Sequence, residues 1–315
     1  MSVPRASRGT GLLHGLDGRA RRQLPRPAYD FLIGRYHDLR TVARRNPGRG
    51  RLLPDFVIIG AAKAGTTSLY GWLSEHPFVA AASQKEVHFF DYNYYRGVDW
   101  YRKHFPPQRA REQFASEHGR GFLTGEASPS YISHDWAPER LAQSLPEVKL
   151  LVVLRNPVDR AYSQFQMSRR EREEPLESFA DAVAIEDERL GPERARTKAD
   201  ERYNSWPIGC WSYLMRSRYA EQLETWLTLF PREQFHFVTL EELSHDPQRA
   251  LDSVHEFLGL PAHRYQDLKP LHSATYDALP AKTRARLDEY FRPHNERLYE
   301  LVGIDFGWGV GARAA

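Results

Sequence analysis

The chain has 315 residues, of which 41% are hydrophobic and 12% aromatic, which is enough for one large domain or for a domain with a tail. The net charge of +3 is uneven, because residues 1–51 hold twelve arginines against three aspartates and leave −6 for the rest. This body carries no overall positive field, which disfavours nucleic acid and highly sulfated polymers as partners but leaves room for a local basic groove. The single cysteine, Cys210, excludes an internal disulfide and indicates a reducing, cytoplasmic setting.

The first part of the chain differs in composition from the rest. We expect residues 1–51 to form a basic tail and linker, followed by one domain at residues 52–315. The tail lacks the apolar run of a signal peptide, and no stretch approaches the roughly 20 apolar residues that span a bilayer. Residues 28–45 have the pattern of a short basic amphipathic helix. Two interpretations stand: the helix packs on the domain surface, or it makes a weak contact with an anionic membrane.

From residue 55 onward, short apolar runs alternate with helical segments, which predicts an α/β fold with a parallel sheet covered by helices on both faces. The predicted strands are 56–59, 79–82, 122–124, 149–154 and 235–239. The predicted helices are 66–75, 138–144, 158–171, 211–230, 247–258 and 281–301. The charge-rich residues 168–202 are typical of a solvated helical face with a mobile loop.

The first candidate site follows the first predicted strand, where residues 60–69 read GAAKAGTTSL. A strand that enters a helix through a glycine turn gathers free amides and the positive end of the helix dipole, which suits an anion. The lysine precedes the second glycine by two residues, whereas in the ATPase loop it directly follows that glycine, so we expect an anion site without a metal. The alternative is a structural turn with a surface lysine. The candidate ligands are Lys63, Ala64, Gly65, Thr66, Thr67 and Ser68.

The second candidate site is the stretch LRNPVDRAYSQF, residues 154–165. Arg155 stands at the end of a predicted strand, and the asparagine and proline after it suit the start of a helix. Because ligands of an open parallel sheet bind beyond the carboxyl ends of the strands, Arg155 and Lys63 are expected to face one crevice. The planar fork of Arg155 suits a terminal phosphate, although a structural ion pair explains it equally well when it is taken alone. Ser163, two turns into the helix, is expected to reach back toward Arg155.

Together the two loops resemble the sulfotransferase family, whose cofactor is 3′-phosphoadenosine 5′-phosphosulfate (PAPS). The resemblance implies a P-loop-like parallel sheet, with the first loop on the 5′-phosphosulfate and with Arg155 and Ser163 on the 3′-phosphate. It extends over about residues 53–308, and further stretches are similar to the heparan-sulfate-type branch. These are KEVHFFD (85–91), GVDWYRKHFP (97–106), GEASPSYI (125–132), YAEQLETWLTLFP (219–231) and LDEYFRPHNERLYELVGIDFGW (287–308). The chain lacks the anchor and cysteine pair of the vertebrate members and resembles a soluble bacterial relative.

The resemblance also implies catalytic roles. The segment matching KEVHFFD carries the catalytic glutamate in this branch, which implies that Glu86 is the general base. If the segment is extended, Glu86 and His88 face the same side, and His88 then contacts the acceptor or the sulfuryl group. A structural histidine explains His88 equally well. Lys63 is implied to stabilise the leaving oxygen and so to act in catalysis.

Two departures from the family pattern concern the acceptor and the cofactor loop. Heparan-type enzymes often place a lysine directly after the glutamate of the segment GEASPSYI, and here that position is Ala127. Residues 270–287 correspond to a loop that closes over the cofactor, but they lack the lysine-glycine-arginine run of the branch. The sequence leaves open whether a replacement is Lys282, Arg284 or Arg286.

The sequence therefore predicts a PAPS-dependent sulfotransferase that acts on a hydroxyl or amine of a glycan, glycolipid or small molecule. The first alternative is a P-loop nucleotide kinase, which a magnesium requirement would support. The second is a nucleotide-binding or membrane-surface adaptor without catalysis, in which replacing Glu86 would change nothing. Zinc-type histidine spacing and Cys-x-x-Cys are both missing from the sequence, so we expect no metal.

Overall fold

The computed structural model describes residue 48, residues 50–269 and residues 276–308, and all structural statements below refer to these residues. The predicted helix at 28–45 and most of the predicted basic tail lie outside them. The described chain packs on the body from Arg51 onward, which forms an isolated antiparallel bridge with Pro107. Leu52 is already buried. The division of the chain at residues 51 and 52 stays a prediction.

The core of the molecule is a sheet of five parallel strands in the order β2-β3-β1-β4-β5. The strands are β1 (Phe56–Gly60), β2 (Val79–Ala81), β3 (Leu123–Ala127), β4 (Lys149–Leu154) and β5 (Phe235–Thr239). Every residue of β1 and all but the first of β4 are buried. Such continuous burial is typical of a parallel sheet with both faces covered. The predicted α/β fold is confirmed, and each predicted strand lies where the sequence indicated.

Helices cover the sheet. They are α1 (Thr66–Leu73), α2 (Val98–Arg102), α3 (Gln108–His118), α4 (Ala137–Ser144), α5 (Pro157–Arg170), α6 (Phe179–Ala184), α7 (Glu186–Ala199), α8 (Trp206–Trp211), α9 (Tyr219–Leu229), α10 (Leu240–His245), α11 (Pro247–Leu258) and α12 (Ala281–Val302). The predictions for α1, α4, α5, α11 and α12 agree within two residues at each end. The amphipathic α3 was not predicted, because its single buried residue, Phe114, leaves little periodicity to detect.

The predicted helix at residues 211–230 is wrong as one element. The chain forms α8, a 3₁₀ turn (Met215–Ser217) and then α9. In a continuous helix, backbone carbonyls would accept the amides of Tyr213, Leu214 and Met215. Here the carboxylate of Glu186 accepts them instead, at 3.1, 2.8 and 2.8 Å. This distant acceptor stabilises the break between α8 and α9.

Residues 168–202 are more ordered in this structure than the predicted mixture of solvated helix and loop. Within α6, Phe179 and Val183 pack into a second apolar cluster together with Phe165 of α5. Most of α7 is solvated as predicted, but Leu190 and Glu186 are buried. The prediction from charge density therefore missed the apolar residues that pack this segment on the body.

Candidate functional site

The two predicted anion loops adjoin at the carboxyl edge of the sheet. Because β1 and β4 are neighbours, the loop after β1 lies beside the start of α5. The amide of Ala61 donates to the carbonyl of Val153 on β4 at 2.6 Å. Nη1 of Arg155 donates to the carbonyl of Lys63 at 3.3 Å. The structure thus brings the guanidinium of Arg155 against the backbone of Lys63, so the two motifs are in contact.

Glycine is needed at both ends of the first loop. At Gly60, a Cβ atom would lie 2.3 Å from Cγ2 of Ile132. Gly65 has a φ of +95° and directly precedes α1, which begins at Thr66. In the first helical turn the amide of Ser68 donates to the carbonyl of Gly65 at 3.0 Å, which leaves the amides of Thr66 and Thr67 available to an anion. Four candidate ligands surround this point, namely Gly65, Thr66, Thr67 and Ser68.

Lys63 lies among other cations. Its Nζ is 3.4 Å from Sδ of Met167 on α5. Burial lowers the pKa of Lys63, and the positive charges of Arg170, Arg155 and Arg160 lower it further, while Glu171 opposes them. A bound anion would relieve this repulsion, so the cluster is electrostatically suited to a negatively charged ligand.

Arg155 is oriented by contacts on several sides. The side chain of Asn156 accepts two amides of the first turn of α5 and so caps that helix. The carbonyl of Arg155 accepts the hydroxyl of Tyr219 at 2.9 Å, and its Nη2 lies 3.5 Å from the hydroxyl of Tyr276. Ser163 lies two turns along α5 and is buried. The role of Ser163 at a phosphate stays a prediction.

Sequence reasoning missed Arg160, which is completely buried. Its Nη1 donates to the side chain of Gln164 at 2.9 Å and contacts the carbonyl of Ala62 in the first loop at 3.5 Å. Its Nη2 donates to the carbonyl of Tyr213 at 2.6 Å. Burial lowers its pKa to about 10, which still leaves a cation at neutral pH. This guanidinium joins the first loop to α5. Only its position within the stretch LRNPVDRAYSQF could have pointed to it from the sequence.

A cluster of three side chains forms at the end of β3. His88 is held between two carboxylates: its Nδ1 donates to Oδ2 of Asp91 at 2.8 Å, and its Nε2 faces Oε2 of Glu86 at 3.3 Å. Lys85 pairs with the other oxygen of Glu86. The segment is not extended, since Glu86 and His88 have φ values of 60° and 53°. The expected meeting of Glu86 and His88 occurs, but through left-handed backbone rather than strand geometry.

The electrostatics of this cluster fix its protonation. Burial alone would lower the pKa of His88, but Asp91 and Glu86 together raise it to about 10. Burial would raise the pKa of Glu86, but hydrogen bonding from His88 and the charge of Lys85 lower it to about 2. At neutral pH the cluster therefore contains an imidazolium between ionised carboxylates. Asp91 was not singled out from the sequence. Its position three residues after His88 was the feature that could have indicated their contact.

A buried carboxyl supports the cluster from beneath. Glu126 on β3 accepts the hydroxyls of Tyr101 and Tyr131 at 2.7 and 2.9 Å. Ser128 donates to Glu126 at 2.7 Å and accepts the amide of His88 at 3.1 Å. Burial raises the pKa of Glu126. This network holds the backbone of the KEVHFFD segment on the end of β3.

The two departures from the family pattern have structural counterparts. Ala127 is buried, and its carbonyl accepts the amide of Glu86 at 3.0 Å. In the segment at 270–287, residues 270–275 lie outside the described part of the chain. Arg284 is paired with Asp159 on the first turn of α5, whereas Lys282 and Arg286 are exposed.

Three functional groups therefore stand in a row along the carboxyl edge, on β3, β1 and β4 in that spatial order. They are the cluster of Glu86, His88 and Asp91, then the amide loop with Lys63, then Arg155. A parallel sheet with an anion loop at its carboxyl edge and a charged pair beside it is the arrangement of an α/β enzyme that acts on a nucleotide-like anion.

The comparisons with known proteins identify the family. The sulfotransferase domain model matches residues 53–292, and the chain belongs to the sulfotransferase family. It is 34% identical to human heparan sulfate glucosamine 3-O-sulfotransferase 6, over 84% of this chain and 75% of that protein. It is 31% identical to the membrane-associated sulfotransferase kil1 of Dictyostelium discoideum, over 83% of this chain and 68% of that one.

A solved structure supports the same assignment. The chain matches the crystal structure of a sulfotransferase from Alicyclobacillus acidocaldarius with a TM-score of 0.64 and 31% identity, over 82% of this chain and 99% of the other. The protein is a sulfotransferase enzyme, which confirms the family suggested by the two loops. No helix in the described ranges combines the length and apolarity needed to cross a membrane.

Proposed function

We propose that this sulfotransferase moves the sulfuryl group of PAPS to a hydroxyl or amine of a glycan, glycolipid or small molecule. The row of groups along the carboxyl edge carries the proposal, because it offers two separate cationic sites with a carboxylate beside the first. Similarity to the heparan sulfate glucosamine 3-O-sulfotransferases supports a sugar acceptor. Family membership favours this reaction over the kinase and adaptor alternatives.

The residues suit the two ends of the donor. The amides of residues 65–67 and the ammonium of Lys63 suit the 5′-phosphosulfate, and Arg155 with Ser163 suits the 3′-phosphate. The first loop follows β1, which lies between β3 and β4 in the sheet, and this order supports an orientation in which the sulfuryl end of the donor adjoins Glu86. Transfer to an acceptor beside Glu86 requires that orientation.

The reaction needs one bond broken and one formed. The acceptor oxygen or nitrogen attacks sulfur, its proton passes to Glu86, and the bond between sulfur and the bridging oxygen breaks. The imidazolium of His88 and the ammonium of Lys63 stabilise the negative charge that develops on the sulfuryl and leaving oxygens. The bisphosphate 3′-phosphoadenosine 5′-phosphate (PAP) is released. These roles need no metal ion.

Glu86 requires a change of surroundings to act as a base. With Lys85 and His88 against it, its pKa of about 2 makes it a weak proton acceptor. Lys85 pairs with Glu86 from one side only and is itself partly exposed, so it is free to turn toward a bound anion. Removal of that neighbouring cation would raise the pKa of Glu86 and strengthen it as a base.

Titration calorimetry with PAP in EDTA, set against ATP with magnesium, tests the proposed function. We expect PAP to bind at least 100-fold more tightly than ATP, because only PAP carries the separate 3′-phosphate that Arg155 is proposed to bind. Arg155→Ala should weaken PAP about 10- to 100-fold, the range for a charged hydrogen bond, and leave adenosine 5′-phosphosulfate nearly unchanged. Preference for ATP with magnesium, or equal losses for both ligands, would contradict the proposal.

A further inference from the structure

The guanidinium of Arg160 is completely buried, and all of its hydrogen-bond partners in the described part of the chain are neutral. They are the hydroxyl of Ser217, the side-chain oxygen of Gln164 and the carbonyls of Ala62, Ser212 and Tyr213, at 2.5 to 3.5 Å. These partners fix the guanidinium in place but supply no counter-ion. Buried charges are usually paired, because an unpaired charge in a dry interior is costly. The charge of Arg160 therefore needs an anion from elsewhere.

The neighbouring charges do not balance this cation. Glu186 attracts the guanidinium, but its oxygens accept three backbone amides at the break between α8 and α9. Arg155 and Arg216 repel the guanidinium. On the side of the first loop, Lys63 lies near three arginines and one carboxylate, that of Glu171. The described residues around Arg160 thus carry an excess of positive charge.

Arg160 contacts the first loop directly before its lysine. The carbonyl that the guanidinium contacts belongs to Ala62, which precedes Lys63 in the chain. Two helical turns further along α5, Sδ of Met167 lies 3.4 Å from Nζ of Lys63. One face of α5 thus contacts both the backbone and the lysine side chain of this part of the loop. The guanidinium is placed to hold the turn that presents the ammonium and the free amides to an anion.

We propose that Arg160 is a positioning residue for the donor: it holds the first loop, and its unpaired charge is balanced by an anion bound in that loop. The inference rests on the proposed function, since the anion is the 5′ group of PAPS or PAP. Arg160 is buried behind the loop and acts without touching the donor. Its charge acts through protein, where the effective dielectric constant is well below that of water. Donor binding therefore neutralises a charge that the protein itself leaves unbalanced.

A carboxylate placed inside the protein tests the inference. Gln164→Glu keeps the size of the side chain and sets a negative charge against the guanidinium of Arg160, so the protein then supplies the counter-ion. The affinities of PAP and of adenosine 3′-phosphate are measured by calorimetry at pH 8. We expect PAP to bind about 10- to 100-fold more weakly, the effect of one charge over several ångströms of protein, and adenosine 3′-phosphate to change less than about threefold. Only PAP places an anion in the first loop.

Two further comparisons separate the charge from the fold. Gln166→Glu is the matched control, because it adds the same charge to another face of α5 and should leave both affinities within about threefold. Arg160→Lys keeps the charge and Arg160→Met removes it. The ratio of the two ligand affinities should survive in the lysine variant and fall about 10- to 100-fold in the methionine variant. A merely structural role would lower stability against urea without changing that ratio.

The outcomes separate this inference from the proposed function. Failure of the wild-type protein to bind PAP would overturn the proposed function itself. If PAP binds, an unchanged PAP affinity in Gln164→Glu, or equal losses for both ligands, would overturn the role of Arg160 alone. Equal affinity ratios in Arg160→Lys and Arg160→Met would do the same, whether or not Gln164→Glu folds.

Discussion

Histidines at the two ends of the sheet differ in pKa because their surroundings differ. At the carboxyl edge, His88 lies between two carboxylates, and its pKa is raised to about 10. At the other edge, the rings of His255 and His263 lie 4.9 and 5.1 Å from the ring of His76. Burial, with the neighbouring His76, lowers the pKa of His255 to about 4.

In the second cluster, burial lowers the pKa of both His76 and His255 and so favours their neutral forms. The Nδ1 of His76 accepts the amide of Phe78, so its Nε2 carries the proton and donates to the carbonyl of Pro261 at 3.0 Å. The Nε2 of His255 bonds to the hydroxyl of Tyr265 at 2.9 Å. These contacts join the turn that follows α1 to α11 and to the segment after it, and the neutral rings offer no charge for catalysis. Partner carboxylates, more than burial, therefore distinguish the charged histidine from the neutral one.

The largest effect should come from removing the base of the charged cluster. Glu86→Gln should lower kcat about 10²- to 10⁴-fold, the range for loss of general base catalysis, with PAP affinity unchanged. The measurement is transfer of labelled sulfuryl to the best acceptor of a screen. Glu112→Gln, on the exposed face of α3, is the matched control. Full activity of Glu86→Gln would remove Glu86 from the catalytic machinery.

The next effect concerns the charge of His88. Asp91→Asn should lower the pKa of His88 by about one to three pH units, because an opposite charge at hydrogen-bond distance is lost. Titration of the His88 imidazole by NMR measures this. In the native protein, His88 contributes stability that is fully present below pH 6.5 and is lost as the pH rises toward 10, and the variant should lose it at lower pH. An unchanged pKa in Asp91→Asn would contradict the electrostatic account.

The smallest effect is the acid sensitivity of the neutral cluster. The folded protein holds His255 unprotonated, so stability should fall as the pH drops from 6.5 to about 4, by on the order of 3 kcal/mol from this group. Urea unfolding at pH 7 and pH 4.5 measures the slope, and His255→Gln should flatten it. The exposed His118→Gln is the control. A steeper slope in His255→Gln than in the wild type would show that the cluster does not titrate as described.

Much of the fold was predictable because it depends on local patterns. The strands, the glycine-bounded first loop and the start of α5 at Asn156 and Pro157 follow from apolar runs and turn residues, and Glu86 was singled out by a short family motif. The break at residues 212–218 was not predictable, because it depends on Glu186 reaching amides 27 to 29 residues away. The buried Arg160 was missed for the same reason, since its partners Ala62 and Tyr213 lie 98 and 53 residues away in the sequence.

The surroundings of α7 were the least predictable part of the fold. Arg194 and Lys198 lie in the charge-rich stretch that the sequence indicates only as a solvated face. Their position with Arg216 in the wall of one cavity depends on long-range packing, which no periodicity records.

A crystal structure of the protein with PAP tests the central claim most directly. We expect the 5′-phosphate within hydrogen-bond distance of the amides of residues 65–67 and of Lys63, and the 3′-phosphate on the guanidinium of Arg155. Glu86 should then face the side of the 5′-phosphate from which the sulfuryl group is transferred. PAP bound at any other place, or with its two phosphates exchanged between the loops, would contradict the account.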